Sequence, residues 1–201
     1  MKQAGMKRIV TPSQTVGPYF HIGFRPIPPL ASAGIPGERI TVRGRVLDGR
    51  GEPVPDGMLE TWQANSRGKY AHPDDWQDKQ TTPGFTGFGR IITGKDGGFR
   101  IDTIRPGAVP WPGTDSARGI GGRRQAPHIV VSFFARGLLK HLVTRVYFGD
   151  DPQIGRDPVL LRIEDPARRG TLLARREAGQ SGAYRWDIVL QGSGETVFFD
   201  V

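Results

Sequence analysis

The chain has 201 residues and no cysteine. That absence excludes disulfides, thiolate metal sites and cysteine nucleophiles. Long apolar runs are lacking too: none approaches the ~18 residues of a membrane-crossing helix. The opening stretch MKQAGMKRIVTPSQ has no apolar core of the length a secretory signal needs. No HExxH, C-x-x-C or G-x-S-x-G pattern occurs, and there is no Walker phosphate loop. The usual sequence marks of zinc hydrolases, serine hydrolases and nucleotide-binding enzymes are therefore missing. The expectation is a cytoplasmic protein with no membrane segment.

Glycine and proline are plentiful, 29 and 17 residues, and they punctuate short apolar runs without any period. With 36% hydrophobic and 24% charged residues, the chain is apolar enough to fold and long enough to bury one core. Its net charge is +8, from 28 Lys and Arg against 20 Asp and Glu. The cations are scattered, with the densest patches at Arg123-Arg124, Arg168-Arg169 and Arg175-Arg176. That pattern does not predict nucleic-acid binding. It fits a solvated surface, or attraction of an anionic substrate or an acidic partner.

Residues 1–38 read as an irregular Pro- and Gly-rich arm, because prolines remove backbone donors and hold their predecessors extended. Val16, Tyr19, Phe20, Ile22 and Phe24 are many apolar side chains to leave in water, so the arm is expected to lie along another surface. From residue 39 to 201 the pattern is strands and turns. Ile40, Val42 and Val46 alternate with polar residues. Met58–Ala64 reads as a second strand. Phe85–Thr93 and Gly98–Ile104 flank GKDGG, which predicts a hairpin. His128–Ala135 is nearly all apolar and predicts a central strand buried on both faces. Leu139–Phe148, Tyr184–Leu190 and Thr196–Phe199 complete the set. Asp157-Pro158 and Asp165-Pro166 each resemble an N-cap followed by proline in the first turn of a short helix. The fold class expected is all-β, a β-sandwich with one or two short helices.

Two residues stand out chemically. Tyr70 follows a strand in NSRGKYAHPDD, where a rigid scaffold presents a loop. His128 opens the most apolar strand. Each has a plain structural alternative, packing for the tyrosine and a strand-end hydrogen bond for the histidine. Asp74-Asp75 and Asp150-Asp151 sit in turn-like sequence, which points to loop solvation and capping. Composition and spacing alone lead to a β-sandwich with a candidate site at one end.

Seven segments carry a further resemblance: TPSQTVGPYF (11–20), GRVLDGRGEPVPDGMLETWQAN (44–65), GKY (68–70), FGRIITGKDGGFRIDTIRPG (88–107), APHIVVSFFARGL (126–138), HLVTRVYF (141–148) and GETVFFD (194–200). In this order and spacing the chain resembles the intradiol ring-cleaving dioxygenases, and within them those that cleave protocatechuate. The resemblance implies a β-sandwich and a ferric ion held by two Tyr and two His. Fe(III) is a hard cation that favours anionic oxygen, so two phenolates suit it. Tyr70 matches the first tyrosine. The second falls on Val109 in PGAVPW. The family's H-I-H becomes His128-Ile129-Val130, so the second imidazole is replaced by Val130. Gln125 and Arg145 stand where the family has a cation and a glutamine, and Arg145 adds positive charge where a metal would sit.

That pattern of loss resembles the α subunits of a heteromeric enzyme. In that arrangement a homologous β subunit holds the Fe(III), protocatechuate and O2 are the substrates, and αβ units form a larger oligomer. The resemblance implies no metal on this chain, a degenerate site at Tyr70, Val109, His128 and Val130, and substrate-pocket roles across the interface for Thr15, Gly17, Pro18 and Arg136. For Arg136 an interchain salt bridge is the alternative. Two other readings stay open: a metal-free, transthyretin-like binding or structural sandwich, and a homomeric enzyme with rearranged ligands.

Overall fold

The computed structural model describes residues 14–17, 19–23, 25–27, 34–111 and 123–200. Strand β1 (Arg39–Leu47) buries Ile40, Val42 and Val46 and turns Thr41 and Arg43 outward, as period two requires. It pairs antiparallel with β4 (Gly98–Ile104), Val42 opposite Ile101. On its other side it runs parallel to β10 (Ala183–Arg185) and β11 (Ile188–Val189).

The facing layer is built from β2 (Met58–Gln63), β3 (Phe88–Ile92), β7 (His128–Phe134) and β8 (Leu142–Phe148). Its order is β3-β2-β7-β8, all antiparallel. Strand β9 (Leu173–Arg176) joins the two layers, pairing with β8 through its first half and with β10 through its second. The result is a two-layer sandwich closed along one side. Between the layers lie Val42, Val46, Leu59, Ile101, Ile129, Val131, Phe133, Val146, Phe148, Tyr184 and Ile188, with Trp186 at the margin. Burying such side chains is worth about 1.5–3 kcal/mol each.

Several expectations are met in detail. Asp165 caps α2 (Pro166–Gly170) by accepting the Ala167 N–H at 2.8 Å. Strand β7 is central, flanked by β2 and β8. Others are corrected. The segments around GKDGG do not pair with each other: β3 pairs with β2 and β4 with β1, so the turn carries the chain from one layer to the other. Strand β7 is buried along its inner face, while on the outer face only His128 is buried and Val130, Ser132 and Phe134 are half-buried. The stretch after Asp157 makes one tight turn, Leu160–Arg162, rather than an α-helix. Thr196–Phe199 forms no strand beyond one bridge from Phe199 to Val143.

In the arm, Phe20–Gly23 forms a single helical turn, α1. The Phe20 ring lies 6.5 Å from that of Phe134, and Ile27 bridges to Arg90 on β3. Tyr19 and Ile22 are exposed. Among the described residues no helix is long and apolar enough to cross a membrane.

Candidate functional site

The outward face of the β3-β2-β7-β8 layer carries the site. Cross-strand partners share a face, so the register sets Trp62 beside Val130 and Val130 beside Arg145. One step along the strands, His128 faces Tyr147, with ring centroids 5.4 Å apart.

The loop after β2 is held by Asn65. Its side-chain oxygen accepts the Arg67 and Lys69 N–H groups at 3.0 Å, and its amide nitrogen donates to Thr82 Oγ1 at 3.1 Å. Gly68 takes φ +75°, and a Cβ there would stand 2.0 Å from the Ala108 carbonyl oxygen. Only glycine lets the two loops abut in this way. That contact brings Tyr70 and Val109 into one cleft. Lys69 turns inward, donating to the Asp75 and Gln77 carbonyls and lying 3.4 Å from the Asp75 carboxylate. Burial alone would raise the Asp75 carboxyl. The Tyr70 and Gln77 N–H groups, the Gln77 side chain and Lys69 outweigh it and hold the carboxyl below its ordinary range.

Tyr70 stacks on Trp62, with centroids 5.8 Å apart and planes within 8°. Burial raises its phenol, opposed by the charge of Arg145. Val109 pairs with Gln125 across the short strands β5 (Val109–Pro110) and β6 (Arg124–Gln125). Gln125 accepts Arg145 Nη1 at 2.6 Å and donates to the Pro110 carbonyl at 3.0 Å. The Arg145 guanidinium therefore reaches the region bounded by Tyr70, Gln125, His128 and Tyr147, and its charge acts on all three titratable members.

His128 is buried, and its Nδ1 lies 2.7 Å from the Ala126 carbonyl oxygen. Burial, then the neighbouring Arg145 charge, push its pKa from 6.5 down to about 3 against the Ala126 contact. The imidazole is neutral at pH 7, so Nδ1 carries the proton and donates. The unfolded chain binds a proton that the folded one refuses, so stability falls as pH drops from about 6.5 toward 3, by up to about 1.4 kcal/mol per pH unit. Urea midpoints measured from pH 7 to pH 4.5 test this: His128→Gln flattens the profile in that window. An unchanged slope would assign the loss to other groups.

Beneath the site, Asp157 is fully buried. It accepts the N–H groups of Ala126, Val159 and Leu160 at 2.7–2.9 Å. Tyr147 lies above it, covered by Ala126, Leu160, Leu172 and Val197. The Tyr147 hydroxyl donates to Asp157 and receives Arg145 Nη1, both at 3.4 Å.

The donor set does not fit a ferric ion. Val109 and Val130 offer methyl groups, which leaves one phenol and one imidazole, and a guanidinium enters the same region. Among the described residues no three His, Asp or Glu side chains cluster in a metal-binding arrangement. His72 sits edge-on to Trp62, and His141 stacks on Phe134 at the far end of β7, so neither completes the set.

The residues expected to serve a neighbouring site lie elsewhere. Arg136 follows β7 at the end opposite His128, roughly 25 Å away at strand rise. Its Nη2 is 3.8 Å from Asp56 Oδ2, with both side chains about half exposed. Thr15 and Gly17 are exposed, and Gly17 accepts the Phe20 N–H at 3.1 Å. Pro18 lies outside the described residues. Because Phe20 packs on Phe134, the α1 turn and Arg136 share one end of the sheet.

Two wall residues escaped the sequence reading. Trp62 and Trp76 line the cleft with Tyr70, His72, Val109, Pro110 and Gln125. Trp62 has the outward parity of Glu60 in MLETWQ, a signal that was there to use. Trp76 in PDDWQD carries no such signal.

A family model described as Dioxygenase matches residues 30–192. The chain is 43% identical over 205 residues to a protocatechuate 3,4-dioxygenase alpha chain of Pseudomonas putida, covering 94% of this chain and 96% of that one. It is 39% identical over 164 residues to a protocatechuate 3,4-dioxygenase beta chain of Burkholderia cepacia, covering 80% and 67%. Among solved structures, the dioxygenase domain of a carbohydrate-binding fusion protein from Streptomyces sp. SirexAA-E matches with TM-score 0.56 and 30% identity, over 90% of this chain and 98% of that one.

Proposed function

We propose, from the premise that the chain belongs to the intradiol ring-cleaving dioxygenases, that it works as the α-type subunit of a heteromeric protocatechuate 3,4-dioxygenase. A homologous β subunit holds the Fe(III), and the assembly opens protocatechuate with O2 between its hydroxyl-bearing carbons to give 3-carboxy-cis,cis-muconate. The observation that carries the reading is the pair of valines, 109 and 130, on the site that also holds Tyr70, His128 and the Arg145 cation. An iron cage needs anionic oxygen and imidazole at those positions. The similarity to both an alpha and a beta chain supports two related subunits.

In this reading the 1–38 arm packs on the partner, and residues 39–201 form the sandwich. Thr15, Gly17, Pro18 and Arg136 line the partner's pocket from the opposite end of the sheet. Arg136 suits that role. Its contact with Asp56 is long and half exposed, which leaves donors for a substrate carboxylate. Exposed Tyr19 and Ile22, with Leu139 beyond the same end of β7, give the partner an apolar surface to cover.

Assays of this chain alone, the partner alone and the two co-expressed test the function. Ring cleavage is expected only from the pair. A colourless chain that gains no activity with any homologous partner would favour a binding module instead. Within the active pair, Arg136→Ala is expected to raise KM for protocatechuate about tenfold, the equivalent of about 1.4 kcal/mol. Unchanged kinetics would remove Arg136 from the pocket, and loss of assembly would make it an interchain ion pair.

A further inference from the structure

The valines leave this chain with a cleft of its own. It encloses about 300 Å3, the lower end of small-molecule sites. Trp62, Tyr70, Trp76, Val109 and Pro110 supply flat and apolar walls. Two groups near its inner side keep spare hydrogen-bonding capacity among the described residues. The Tyr70 hydroxyl makes no hydrogen bond; only the Tyr70 backbone N–H is engaged, by Asp75. Arg145 spends Nη1 on Gln125 and Tyr147 and lies 5.7 Å from the Phe199 ring centre, and among the described residues its Nε and Nη2 make no hydrogen bond. Among the described residues no carboxylate forms an ion pair with this half-buried guanidinium. A half-buried cation without a carboxylate partner is a ready counter-charge for an incoming anion.

The carboxylates of the cleft do not supply it. Asp75 is taken by Lys69 and by two backbone N–H groups. Asp74 projects into solvent, 91% exposed, beside His72. The cleft thus sets aromatic walls and the Tyr70 hydroxyl beside Gln125, behind which Arg145 lies at 2.6 Å, a combination that selects a flat ring with one negative group.

We propose that this cleft binds a monocyclic aromatic carboxylate, with its ring against Trp62 and Trp76 and its carboxylate toward Arg145 and the Tyr70 hydroxyl. The ligand is held without turnover, so the site is an effector or storage site separate from ring cleavage. The proposal rests on the cleft itself and stands whether or not a partner holds iron.

The test uses the protein in the assembly in which it purifies, titrated calorimetrically with 4-hydroxybenzoate. That compound lacks adjacent hydroxyls, so intradiol cleavage cannot consume it. The expected result is one binding equivalent per copy of this chain, in addition to any bound at a catalytic centre. Arg145→Gln weakens that class at least tenfold. Trp76→Ala weakens it several-fold; this side chain is half exposed, so its loss leaves the fold intact and the test available if Arg145→Gln fails to fold. Tyramine, a cation with the same ring, binds more weakly than 4-hydroxybenzoate. The proposal is overturned if no equivalent is attributable to this chain, if Trp76→Ala binds like the unaltered protein, or if tyramine binds the tighter of the two.

Discussion

Gly44→Ala is expected to abolish the soluble folded chain. Gly44 lies in β1 where the backbone of Trp186 crosses close beside it. A Cβ there would stand 1.6 Å from the Trp186 carbonyl oxygen and 2.7 Å from Phe99 Cζ. The Trp186 N–H donates to the Arg43 carbonyl at 2.9 Å, so that backbone cannot withdraw without losing a sheet contact. Phe99 is equally constrained, packed edge-on against the Trp186 indole 6.1 Å away. Relief requires β1 to part from its parallel neighbours, at a cost above about 4 kcal/mol, beyond what most single substitutions reach. Soluble yield and urea unfolding report it. A midpoint within about 1 kcal/mol of the unaltered chain would show that the sheet yields far more easily than close packing allows.

The second large effect belongs to Asp157. Its buried carboxyl gathers three backbone donors and the Tyr147 hydroxyl, tying the entry of β7 to the tight turn after Pro158. Asp157→Ala leaves three N–H groups without an acceptor, each worth about 1–3 kcal/mol when buried. The total loss is expected at about 3–5 kcal/mol, with allowance for relaxation and entering water. Asp157→Asn keeps one carbonyl acceptor and loses less. Because Ala126 also receives the His128 Nδ1 proton, the alanine variant loosens the degenerate site as well, visible as faster hydrogen exchange across residues 126–130. Equal stability of the alanine and asparagine variants would deny the carboxyl this role.

The two residues differ in how legible they were. Asp157 announced itself, since an aspartate before proline and an apolar run is a capping pattern, although the helix it caps shrinks to a single turn. Gly44 did not, because the clash comes from Trp186, far along the chain. The same division runs through the fold. Alternation in β1 and the apolar run of β7 are local and were readable. GKDGG was misread because its turn chemistry serves equally well to fold a strand back or to carry it between layers, and which occurs depends on the distant β1 and β2.

The site follows the same rule. Tyr70, Val109, His128 and Val130 could be named from the order of family-like segments. The substitution of Arg145 was also visible. What could not be read was that Arg145 lacks a counter-charge and that Trp76 walls a cleft, since both depend on which loops meet across the Gly68–Ala108 contact. Arg136 follows from the resemblance to α-type subunits, but its placement at the far end of β7 from His128 needs the register of the sheet.

With valines at 109 and 130, this polypeptide alone is expected to hold no ferric ion. Metal analysis by mass spectrometry on the chain expressed alone in iron-replete cells, with its visible spectrum, tests that most directly. The expected result is iron far below one per chain, no red-brown tyrosinate band and no cleavage of protocatechuate, with all three appearing on co-expression with the homologous partner. One ferric ion per chain, with turnover and no second polypeptide, would contradict it.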